Sequence, residues 1–349
     1  MVKLNKAVLH GGVHMDFSEI IRAYFQGLKD SLRGDGATEN EVLSLFDDCD
    51  EFPELYDEGL IDISKMVLED VTEELNKRDK KEKNDRAQTR KRFSVVWGEG
   101  YAWMRQFYSL AFDSCMSLHK LTEKSPNIVE ALNYYEATRL ITMRAIMVYN
   151  EVLCLMENGF PDGAFAHYRT LYELWAVAEF LAHDEDKESV SKTYLESASK
   201  ISNNEAGHYK WAKTSKRFEG SENVTIYAIV KQAHETCTLK QGGRSNSQLM
   251  RDYTFPNSLI HPSAIGLEVI SSSMPDAKTV GMANPAISSS IKLFEICSLY
   301  LYFFANVEAE SNEDIMVAEN AFICNQLLSA MLWDKIHPIF NRIEHDEDE

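Results

Sequence analysis

Between Ala164 and Ala182 only His167, Arg169, Thr170, Glu173 and Glu179 interrupt an otherwise apolar run. A helix that is apolar nearly all round has no face to give to water, so it must be enclosed by other elements. Its start is marked by Pro161-Asp162, with Gly159 placed to cap the helix before it. This one segment therefore demands a fold with a central helix and neighbours on several sides.

Those neighbours are read as helices. The 349 residues hold only 16 Gly and 8 Pro, which favours long helices over a turn-rich β fold. Helical periodicity predicts segments near 16–32, stopped at Gly34-Asp35-Gly36, and from about 61 into a charged run at 76–92. Further segments follow at 99–124, at 128–157 after Ser125-Pro126, and from Pro161 to about His183. The last four are expected at 187–213, 223–238, 286–309 and 312–343. Thr38-Glu39-Asn40-Glu41 has the form of a capping box. Residues 253–285, with Pro256, Pro262, Pro275 and Pro285, form the least regular stretch, and the only weak strand pattern lies at 265–270. The fold class expected is all-α, a bundle of long antiparallel helices. An N-terminal helical region, 1–92, precedes a main domain, 93–349.

The net charge of −19 argues against a whole surface built for phosphate. Residues 77–92 differ: nine Lys or Arg against three acids give +6, leaving −25 for the rest. Such a run is either a solvated helix or a contact for nucleic acid or an acidic partner, and no aromatic interleaves it for base stacking. Six dispersed cysteines without a CxxC pair point to a reducing cytoplasm. The most apolar stretch, 293–307, is interrupted by Glu295 and preceded by Lys292, so it reads as a core helix rather than a membrane span.

Two polar clusters stand out against this apolar background. Phe165, Arg169, Tyr172, Ala176 and Phe180 share a helical stripe, which aims Arg169 along an apolar face with Glu173 one turn on, ready to pair. The other cluster is Tyr253 with His261-Pro262-Ser263, where histidine before proline is biased to extended backbone and can serve as an acid or base. Each cluster can be purely structural: an ion pair fixing helix register, and a histidine at a helix end. Each can also bind a ligand, with Arg169 gripping an anion while Glu173 orients its guanidinium, and with Tyr253 and Ser263 hydrogen-bonding near His261.

No phosphate-binding loop, zinc-protease, nucleophile-elbow or dinucleotide motif is present. His234 and Cys237 lack a partner pair, and His10 and His14 lack a third ligand. Glu151, Glu157 and His167 lack the two Glu-x-x-His repeats of a di-iron bundle. Neither a metal nor another cofactor is expected.

Asn158-Gly159, Tyr168 through Glu173, and Tyr253 through His261-Pro262-Ser263 together resemble a family of mostly bacterial helical proteins, domain of unknown function 5677. The likeness runs from about Tyr134 to Val307. It implies an all-helical fold in which Arg169, Glu173, Tyr253 and His261 converge, and an association with bacterial stress or phage defence. The expectation is a soluble cytoplasmic effector or regulator with a protein partner or a second copy. One alternative is a metal-independent ribonuclease with His261 and Arg169 catalytic, although no histidine has the upstream arginine of the HEPN-type motif. The other is a scaffold that binds no ligand.

Overall fold

The computed structural model describes residues 26, 27, 29–38, 40, 61, 62, 64, 65, 68, 69, 72, 75–122, 131–200, 209–237, 250–254, 256, 283–305 and 312–345. They are helical or in turns, with no strand among them. The chain divides into two compact units, Met1–Gln88 and Thr89–Glu349.

In the first unit a helix covering 29–34 stops where the glycines predict, and Gly36 adopts φ +92°. Helix α1, Leu75–Thr122, begins within this unit. Its charged residues from Asp79 to Arg86 are exposed and include pairs one turn apart, Lys83 with Asp79 at 2.6 Å and Arg86 with Glu82. This is the pattern of a solvated helix. Glu39 and Glu41 of the capping box, His10, His14, and the 265–270 pattern fall outside the described residues.

The second unit carries the core. From residue 89 onward α1 buries Phe93, Trp97, Tyr101, Met104, Phe107, Ala111, Cys115 and Leu118. These steps of three and four form one apolar stripe. A break between 92 and 99 was expected; instead the helix is continuous. Gly100 is there for space, because a Cβ would lie 2.6 Å from the Phe340 ring.

Helix α2, Leu132–Glu157, ends in a Schellman turn: Phe160 N–H bonds Leu155 C=O at 2.9 Å and Gly159 N–H bonds Met156 C=O at 3.0 Å. After a three-residue connection Pro161 opens α3, Pro161–Ala182, so α2 and α3 form a tight helical hairpin. Helix α4, Lys187–Lys200, follows. The expected continuation to 213 is not α-helical there; 3-10 turns occupy Lys210–Thr214 and Lys216–Phe218. Ser215 sets this geometry, since its extended backbone interrupts the helix and its hydroxyl caps Arg217 N–H.

Helix α5, Ile226–Thr236, is capped by Thr225. Helix α6, Ala283–Ala305, and α7, Asn312–Ala330, come next. A π turn at Met331–Ile336 joins α7 to α8, His337–His345. Helix α3 packs against α2, α5 and α6, the central position its composition demands. Trp175, Phe180, Leu171 and Leu181 are fully enclosed around it. Each such side chain contributes roughly 1.5–3 kcal/mol on burial. No helix of the described residues is long and apolar enough to cross a membrane.

Candidate functional site

Helix α3 presents Arg169 and Glu173 one turn apart, and Nε of Arg169 donates to Glu173 Oε1 at 3.0 Å. The helical segment 250–254 brings Tyr253 to the same oxygen, its hydroxyl donating at 3.1 Å. The guanidinium carbon of Arg169 also lies 5.9 Å from the Tyr253 ring centroid. Arg169, Glu173 and Tyr253 therefore converge, residues separated by 80 positions in the chain. His261 and Ser263 lie outside the described residues.

The pair is less deeply placed than the apolar stripe implies, with 28% of the Arg169 side chain and 27% of Glu173 exposed. Electrostatics bind the cluster together. Burial works against the charge on Arg169, and Glu173 with the Tyr253 hydroxyl overcome it, so its pKa rises. Burial, reinforced by Glu173, pushes the Tyr253 phenol up to about 12. Tyr253 is thus a hydrogen-bond donor at neutral pH.

Glu173 also lines a cavity of about 410 Å³. Its other walls come from α2 through Ile141 and Arg144, from α4 through Tyr194 and Leu195, and from Tyr209 and Trp211. Oε1 of Glu173 is taken by Arg169 and Tyr253, while Oε2 has no hydrogen-bond partner among the described residues. Arg144 lies 3.2 Å from Glu151, which is 2.8 Å from His167 Nδ1. Glu157 holds Arg105. The carboxylates flanking the α2–α3 hairpin are thus occupied by cationic or imidazole nitrogens, and no group of three or more His, Cys, Asp or Glu among the described residues could hold a metal.

A second polar cluster lies behind the first, and the sequence reading gave it no functional weight. The Tyr253 ring packs 5.4 Å from that of Tyr172, whose hydroxyl bonds His234 Nε2 at 2.8 Å. Lys292 places its ammonium 3.6 Å from the Trp175 ring centroid and 4.5 Å from that of Tyr172. It pairs with Glu295 at 2.7 Å, both side chains only 5% exposed. Glu179 is enclosed with His183 at 3.2 Å and accepts from the Cys237 thiol at 3.5 Å. The signal was present: Lys292 and Glu295 stand three apart in the most apolar helix, the same logic that singled out Arg169 and Glu173.

Burial, and then Lys292, lower the His234 pKa from 6.5 to about 4, so the imidazole is neutral at physiological pH. The unfolded chain takes up that proton more readily. Stability is therefore expected to fall as pH drops from about 6.5 towards 4, by at most about 1.4 kcal/mol per pH unit for this group. Urea unfolding across that range should show a shallower slope in His234→Gln than in the parent. Equal slopes would remove His234 as the source.

An all-α fold with a polar triad, of which Glu173 lines a largely apolar cavity, is what the structure defines. Residues 135–268 match a family model described as Family of unknown function (DUF5677), and over that span the chain is similar to the family. The matched span contains Arg169, Glu173, Tyr253, His261 and Ser263, and stops short of Val307, where the motif resemblance was read to end. No curated protein and no solved structure matches the chain.

Proposed function

We propose that this protein is a ligand-binding effector or regulator whose site is the cavity beside Glu173. One observation carries the reading: a carboxylate fixed from one side by Arg169 and Tyr253 while it borders a cavity of about 410 Å³. That volume lies within the range of small-molecule sites, which are mostly apolar with a few placed polar groups. A purely structural ion pair has no need of such a space.

His261 and Ser263 enter the proposal on the family resemblance alone, as does a role in bacterial stress or phage defence in a cytoplasmic setting. The ribonuclease alternative has less support, because Arg169 already commits Nε to Glu173. A protein partner or second copy is proposed for the outer side of α7, where Met316, Ile323 and Leu327 are exposed at helical spacing.

The test uses the neutral apolar dye Nile red as reporter. The full chain should bind it, and Leu195→Trp, which fills the cavity from α4, should weaken binding at least about tenfold, a loss of about 1.4 kcal/mol. Its melting temperature should stay close to the parent's. Dye binding that ignores the cavity-filling variant would sink the proposal.

A further inference from the structure

We infer that the ligand of this cavity is an uncharged planar ring bearing an N–H donor, rather than an anion or a cation. The inference rests on the ligand-binding reading above and adds the chemical class. Three aromatic side chains, Tyr194, Tyr209 and Trp211, face the same space. Aromatic walls suit a flat ring, which they contact edge-on or face-on.

Charge balance then selects among flat ligands. The guanidinium that lines the cavity and the one that holds its carboxylate are each matched, Arg144 by Glu151 at 3.2 Å and Arg169 by Glu173 at 3.0 Å. An anionic ligand would have to displace one of those carboxylates and would meet Glu173 at the wall. Aromatic walls with a carboxylate also attract cations. Here, however, a cation would share Glu173 with Arg169, and Arg144 borders the same space. A neutral N–H group adds no net charge and completes Glu173 by donating to Oε2. Arg169 and Tyr253 are positioning residues in this account, since both act through Oε1.

Three probes of nearly equal shape separate the classes: 2-naphthamide (neutral), 2-naphthoate (anion) and 2-naphthamidine (cation). Each is titrated against the full chain by displacement of Nile red. The amide is expected to bind at least about tenfold tighter than either charged probe, the scale of one hydrogen bond to a charged group. In Glu173→Gln that preference should vanish, because the new side chain brings a donor of its own and no charge. Tyr253→Phe, which keeps the carboxylate and frees it on one side, should retain the order with a smaller gap.

Equal or tighter binding of naphthoate or naphthamidine overturns the inference. A preference that survives Glu173→Gln overturns it as well. If no naphthalene probe displaces a dye that Leu195→Trp excludes, the ligand class is wrong while the cavity reading stands. If the dye itself does not bind, both fall together. Thermal melts of each variant keep a loss of fold from passing as a loss of binding.

Discussion

Glu295→Ala is expected to destabilise the second unit by about 3–5 kcal/mol, read by urea or thermal unfolding. The carboxylate lies 2.7 Å from Lys292 Nζ, and each side chain is only 5% exposed. Removing it leaves an ammonium enclosed by Trp175 and Tyr172, whose ring faces attract the cation without matching a carboxylate. Replacing both partners has a different outcome. Lys292→Met with Glu295→Leu should fall within about 1 kcal/mol of the parent or exceed it, since no buried charge is left over. A cost below about 1 kcal/mol for Glu295→Ala alone would show the pair to be solvent-screened rather than buried.

That pair also marks how far the sequence could be read. Helices were legible because period and punctuation agree: Gly159 and Pro161 closed one helix and opened the next at the residues where the structure turns. The composition of 164–182 identified a central helix, and α3 packs against α2, α5 and α6. The Arg169–Glu173 contact followed from i,i+4 spacing. Failures occurred where tertiary contacts override local signals. Separate helices were expected on either side of 92–99, yet the helix is continuous there and Gly100 is a recess for the Phe340 ring. Residues 210–213 looked helical, but Ser215 and the buried Trp211 hold that segment in 3-10 turns.

The candidate site divides along the same line. A local pair is visible from spacing, whereas His234 meeting Tyr172 joins residues 62 apart and requires the fold to be known. Tyr253 reaching Glu173 was expected only through the family likeness, for no periodicity connects positions 80 apart. The cavity was invisible, because its walls come from five separate segments, each with its own reasons to be apolar.

Gly159→Ala should cost about 2–5 kcal/mol, and the graded behaviour of three glycines shows why. At Gly159 the backbone is left-handed, φ +78°, which alone costs an L-residue roughly 1–2 kcal/mol. The new Cβ would also lie 2.5 Å from the ring of Phe93, itself buried, and overpacking of that kind costs about 1–3 kcal/mol. Gly100 meets a ring at a similar distance, 2.6 Å, but sits mid-helix, so Gly100→Ala recovers about 1 kcal/mol of helix propensity against the same clash. Gly163, in α3, would place its Cβ 3.4 Å from Leu155, an ordinary contact, so Gly163→Ala should stabilise by up to about 1 kcal/mol. Unfolding midpoints for the three variants should fall in that order, Gly163→Ala highest and Gly159→Ala lowest. A reversed order would mean that ring contact outweighs backbone handedness. The Schellman turn at Gly159 also fixes the register of α2 against α3, the two helices that bring Arg144 and Glu173 to one cavity wall. Gly159→Ala should therefore weaken dye binding as well as stability, whereas Gly100→Ala, whose clash is with α8 away from the cavity lining, should weaken stability alone.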